Sequence, residues 1–95
     1  MNKKAIVQIS SFAEKQLKKI PENIVEKVKL WIIYVEDGGL DYIKTRPGLH
    51  DEPLKGKRKG QRSIRLNRSY RLIYVVKEET VLIEIIVLEV NNHEY

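Results

Sequence analysis

The sequence predicts an α+β domain: an N-terminal strand, then a helical hairpin packed on one face of a mainly antiparallel β-sheet. Three observations carry that expectation. Apolar residues recur at the helical period between Phe12 and Val35. From Arg62 to Val90 the pattern changes to β-branched runs separated by polar turns. The order of elements (strand, two helices, three strands) segregates helices from sheet instead of alternating them. With 95 residues there is material for one modest core, so residues 1–95 are expected to form a single domain.

Taken in order, Ala5 to Ile9 is a short β-branched run and reads as the first strand. Ser11 and Glu14 have capping-box spacing, so a helix is expected to begin near Phe12, with Phe12, Ala13, Leu17 and Ile20 on its apolar face. Pro21 suits the first turn of a second helix. Its stripe is Ile24, Val28, Trp31, Ile32 and Val35, and Gly38-Gly39 ends it. Asp41 to Lys44 has room for one helical turn before the break at Pro47-Gly48. Strands follow at Arg62 to Leu66, Tyr70 to Lys77 and Val81 to Val90. The last is apolar on both faces apart from Glu84 and Glu89, so it should be interior to the sheet. The cluster from Lys55 to Lys59, between Pro53 and Gly60, is the stretch expected to be most mobile.

Charge is distributed unevenly. Between Glu52 and Glu78 there is no acidic residue and there are nine basic ones: Lys55, Lys57, Arg58, Lys59, Arg62, Arg65, Arg68, Arg71 and Lys77. The remainder holds nine basic and thirteen acidic residues, so the net charge of +5 comes from this one segment. Such a footprint marks a polyanion-binding surface, and nucleic acid is the commonest polyanion. Cysteine is absent, which removes disulfides, thiolate metal sites and thiol nucleophiles. No signal-peptide core, membrane span, glycine-rich phosphate loop, dinucleotide fingerprint or metal-ligand spacing is present. A cytoplasmic protein without a cofactor, membrane or resident metal is expected.

A three-residue turn at Asn67-Arg68-Ser69 would set Arg65 directly opposite Arg71 on adjacent strands. Like charges so placed repel. Either an anion sits between them, since the guanidinium fork matches phosphate oxygens, or both point to water or pair with Glu84 or Glu89. His93 and Tyr95 share a face in an extended segment and are either a proton shuttle with a phenol donor or a frayed end. Glu52 is either a solvated loop carboxylate or a general base beside a phosphate clamp. Cations near a carboxylate favour its ionised form and weaken it as a base.

The ordered set formed by the helical hairpin, Glu52-Pro53-Leu54-Lys55-Gly56, the basic loop, Ser63-Ile64-Arg65-Leu66, Tyr70-Arg71-Leu72-Ile73-Tyr74 and terminal His93-Glu94-Tyr95 resembles the RelE/ParE superfamily of bacterial toxins. Within it the set is most similar to the YoeB and HigB type of ribosome-dependent messenger-RNA endonuclease. The resemblance implies a microbial RNase-like fold and metal-independent cleavage of translated messenger RNA in the ribosomal decoding site. It also implies a cognate antitoxin that neutralises the basic face and joins the toxin in a hetero-oligomer on operator DNA. By position, Glu52 matches the general base, Arg65 and Arg71 the phosphate-holding arginines, His93 the C-terminal acid and base group, and Tyr95 the terminal tyrosine. Lys55, Lys57, Arg58, Lys59, Arg62 and Arg68 would contact messenger or ribosomal RNA. Two alternatives stand beside this: a gyrase inhibitor of the ParE branch without nuclease activity, and a non-catalytic RNA-binding domain.

Overall fold

Alternation along β1 (Lys4–Ile9) turns Ala5, Val7 and Ile9 toward the core. The computed structural model describes residues 4–39, 41, 44–79 and 81–92. After β1 come α1 (Ser11–Leu17) and α2 (Glu22–Gly38), then β2 (Glu52–Pro53), β3 (Arg62–Arg65), β4 (Arg71–Glu78) and β5 (Leu82–Asn91). The sheet order is β1-β5-β4-β3-β2. β5 is interior, as its doubly apolar pattern predicts. It pairs antiparallel with β4 and parallel with β1, so the sheet is mixed though mostly antiparallel. Both helices pack on one face.

Helix α1 is capped by Ser10, one residue earlier than the Ser11 expectation. Its hydroxyl accepts from the Ala13 N–H at 3.1 Å and donates to the Leu88 carbonyl at 3.0 Å. Of the expected apolar face, Ala13 is buried and Leu17 and Ile20 pack against the core. Phe12 is 57% exposed, because it lies about 100° around the helix from the Ala13–Leu17–Ile20 face. Pro21 is the N-cap of α2 rather than part of its first turn. Ile24, Val28, Trp31 and Val35 are buried, Ile32 is partly so, and Gly39 closes the helix with φ 85°. Trp31 meets Tyr74 of β4 with ring centroids 5.2 Å apart and planes tilted by 52°. Such an arrangement contributes about 0.5–1.5 kcal/mol beyond the area it buries.

Asp41 and Lys44 are helical, while Tyr42 and Ile43 between them lie outside the described residues. Pro47–Leu49 and Gly56–Arg58 are single 3-10 turns, the second formed by the lysine-rich stretch expected to be mobile. The turn from β3 to β4 is the expected one. Leu66 N–H donates to the Tyr70 carbonyl at 2.9 Å, and the Asn67 side-chain oxygen accepts from Ser69 and Tyr70. Strand β2 was not expected; it is a two-residue edge pairing of Glu52 with Ser63 and Pro53 with Arg62.

Candidate functional site

The sheet face turned away from the helices is set by register. Arg65 lies opposite Arg71 and Glu52 opposite Ser63, and side chains two apart on β3 share a face. Glu52, Ser63, Arg65 and Arg71 therefore gather on one surface. Arg71 is the hub. Its Nε donates to Ser63 Oγ at 2.8 Å and its terminal nitrogen to Glu52 Oε1 at 2.8 Å. Ser63 is fully buried, whereas the Glu52 side chain is 58% exposed, so the pair spans from the sheet surface to solvent. The basic 3-10 turn folds over the same face. Arg58 forms a salt bridge with Glu89 of β5 and donates to Gln61 Oε1 at 2.9 Å. Glu89 faces Ile73 across the strands, and Ile73 is completely buried there. Lys55, Lys57 and Lys59 are exposed.

On the opposite, helix-bearing face, Asp51 is held between two partners. Its Oδ1 accepts from Arg62 Nε at 2.7 Å, its Oδ2 accepts from the Tyr74 hydroxyl, and its side chain is 0% exposed. Burial pushes the Tyr74 phenol far above its ordinary value; the bond to Asp51 and that carboxylate's charge push the same way, and Arg62 opposes them. For Arg62 burial pulls downward, but the bond to Asp51 and its charge outweigh it, and the net shift is upward.

Where β3 ends, an apolar groove of about 410 Å³ runs between α2 and the Pro47–Leu49 turn. Leu30, Trp31, Tyr34, Leu49 and Leu66 supply its apolar walls, and the charged side chains lining it are Lys27, Arg46 and Arg65, all cationic. Arg46 stacks 5.9 Å over the Tyr34 ring, and the buried Trp31 Nε1 has no hydrogen-bond partner among the described residues. Arg65 joins this groove to the Arg71 surface.

Compared by sequence, the chain matches no protein-family model and no curated protein. Solved structures do match. YafQ from Escherichia coli superposes with a TM-score of 0.75 at 16% identity, covering 95% of this chain and 94% of that one. The YoeB/ParE toxin from Agrobacterium tumefaciens gives 0.71 at 19%, covering 96% and 99%. A chain of the RelBE2 toxin–antitoxin complex from Mycobacterium tuberculosis gives 0.64 at 25%, covering 93% and 96%. The chain has the RelE/ParE toxin fold.

On this RelE/ParE frame the structure brings together Glu52, Arg65 and Arg71, with Arg58 on the same side. It does not bring Arg62 to them: alternation turns Arg62 to the helix face, where Asp51 holds it. Arg68 is exposed in the β3–β4 turn. Arg71 takes Glu52 as its acidic partner, in place of the Glu84 or Glu89 alternative. His93 and Tyr95 lie outside the described residues. Among those described, no three His, Asp or Glu side chains gather as metal ligands, and no helix is long and apolar enough to cross a membrane. The sequence offered no role for Ser63, Asp51 or Tyr74, and it offered Glu89 to Arg65 or Arg71, whereas Glu89 pairs with Arg58. Ser63 was recoverable, since it stands two residues before Arg65 and so must share its face.

Proposed function

We propose that this chain is the toxin of a type II toxin–antitoxin module and an endoribonuclease that cleaves translated messenger RNA on the ribosome. The observation that carries this is the Glu52–Arg71–Ser63 constellation, a carboxylate and a guanidinium in contact at the centre of an exposed basic face. Acid–base cleavage of RNA uses a base beside a cationic phosphate holder, as this pair supplies, whereas gyrase inhibition requires no acid–base set.

In this mechanism the scissile phosphate competes with Glu52 for the outward donor of Arg71, while Ser63 keeps the guanidinium in place through Nε. Displaced from Arg71, the Glu52 carboxylate takes the proton of the ribose 2′-hydroxyl. The 2′-oxygen bonds to phosphorus, and the bond from phosphorus to the 5′-oxygen breaks. Arg65 and Arg71 stabilise the charge that builds on the phosphoryl oxygens. His93 delivers a proton to the leaving 5′-oxygen, and Tyr95 donates beside it. The products are a 2′,3′-cyclic phosphate and a 5′-hydroxyl. Lys55, Lys57, Lys59 and Arg68 contact RNA backbone, and the reaction takes place on the ribosome in the cytoplasm.

The same reading gives the chain an antitoxin. The RelBE2 structure is a toxin–antitoxin complex, and the groove beside Arg65 combines apolar walls, three cations and a Trp31 donor that has no partner among the described residues. An acidic amphipathic segment suits it. The test of the function is brief induction in bacteria with new messenger-RNA 5′ ends mapped for wild type and Arg71→Ala. Cuts within translated frames that vanish in the variant are expected. Growth arrest without such cuts would shift the assignment to gyrase, and no arrest would shift it to an RNA-binding domain.

A further inference from the structure

Glu52 sits on a two-residue edge strand, with only two register pairs to β3. Beyond them, the Leu54 N–H to the Gln61 carbonyl at 2.9 Å is the next ladder-like bond. Preceding Glu52 is a 3-10 turn that ends at His50 in the left-handed region, φ 47°. So short a ladder fixes the strand's position poorly. Yet the Arg71 bond to Glu52 needs a carboxylate oxygen placed to within a few tenths of an ångström.

The residue before Glu52 supplies what the ladder lacks. Asp51 points through the edge of the sheet to the helix face, where its carboxylate is sealed from solvent and both oxygens are engaged. Its two partners are anchored independently. Tyr74 is a fully buried β4 residue packed on Trp31, and Arg62 is the β3 residue directly opposite it. Backbone alternation then fixes where the next side chain must go: onto the other face, toward Ser63 and Arg71. Core packing alone gives no reason to seal a carboxylate here, because apolar residues of similar volume commonly replace such a pair without loss of stability.

We infer that Asp51, clamped by Tyr74 and Arg62, is a positioning residue that sets Glu52 against Arg71 from the opposite side of the sheet. Arg62 therefore serves the site through Asp51 and not by touching RNA. The catalytic consequence rests on the proposed function, but the geometric one does not, and the two are read separately.

The experiment uses the full chain and three variants. Asp51→Asn and Tyr74→Phe each break the clamp, while Val28→Ala makes a comparable defect in the core on α2. The first readout is the Arg71 Nε–H resonance in the ¹⁵N spectrum. A distinct, slowly exchanging signal is expected in wild type and Val28→Ala, and a shifted or exchange-broadened one in both clamp variants. The second is cleavage of ribosome-bound messenger RNA, with kcat expected to fall about a hundredfold in the clamp variants, the scale of a misplacement near 1 Å. KM should not rise, because a displaced Glu52 no longer competes with the phosphate for Arg71. If the clamp variants merely lower the melting temperature, as Val28→Ala does, with the Arg71 signal and kcat retained, Asp51 is structural and the inference is overturned. Should Asp51→Asn fail to fold, Tyr74→Phe, which keeps the ring and loses one hydroxyl, decides the matter. If wild type cuts no RNA, the proposed function falls and the resonance alone decides the positioning.

Discussion

Arg71 makes two directional contacts from one guanidinium, to Ser63 on the inside and Glu52 on the outside, and only a planar fork reaches both. Arg71→Lys keeps the charge and three donors on one nitrogen but loses the planar fork that fixes two separated contacts. Cleavage by that variant is expected to fall by about tenfold or more, a loss of roughly 1.4 kcal/mol or more in transition-state stabilisation. RNA binding should keep its salt dependence, and the comparison of turnover with binding checks both. Ser63→Ala removes the inner acceptor of a mostly buried guanidinium, so unfolding in urea should show a loss of about 1–3 kcal/mol. Tyr74 predicts a pH effect. Its phenol titrates above the unfolded value, so its contribution is fully present below pH about 10 and is lost as pH rises past that. Tyr74→Phe should be less stable at neutral pH and show a shallower alkaline decline, measured as melting temperature between pH 8 and 11. At this scale the Arg65–Arg71 register was legible because a three-residue turn fixes it by counting. The Asp51 clamp was not legible, since an acid beside Glu52 looks solvated until Tyr74 arrives from a strand more than twenty residues away.

Element boundaries depend on which residue supplies the cap. Ser10 serves two elements, accepting from the α1 backbone and donating to Leu88 of β5, whereas the neighbouring Ser11 is exposed. Ser10→Ala should cost about 1 kcal/mol or somewhat more, the usual cap term plus the lost bond to β5. Ser11→Ala should be nearly neutral. Chemical denaturation of the two variants distinguishes the caps; equal stabilities would restore Ser11 to the role its spacing suggested. Helix α2 and strands β3 to β5 were legible because their periodic runs are long enough to show a period, with ends displaced by a single residue. A two-residue strand has no period, so β2 left no trace in the pattern. The parallel pairing of β1 with β5 was equally hidden, because nothing local in Lys4–Ile9 names a partner some eighty residues away. The turn bearing the lysines is bracketed by Gly56 and Gly60 at φ 65° and 94°, values that side chains with a Cβ adopt at a cost.

At the scale of the molecule, the sheet separates two kinds of cation. Arg62 is neutralised on the helix face by Asp51, and Arg58 is tied to Glu89 on the other. These arginines hold the structure more than they advertise charge. Lys55, Lys57 and Lys59 differ. They project from the same basic turn, are exposed, and make no ion pair among the described residues. The field that draws in a polyanion therefore resides in them and in the exposed Arg65, Arg68 and Lys77, although the sequence presents all nine basic residues as one block. Each phosphate contact adds about 0.7 to the slope of log affinity against log salt for single strands, and about 0.9 for duplex. Replacing the three lysines by Gln should lower that slope by about 2 for ribosome or RNA binding and weaken binding most at low salt. The melting temperature should hardly move, because exposed charges contribute little to stability. Arg58→Gln should do the reverse, loosening the turn over Ile73 and lowering the melting temperature with a smaller change in slope. A slope that stays constant when all three lysines are neutralised would move the docking surface off this turn and onto the Arg65–Arg71 face alone.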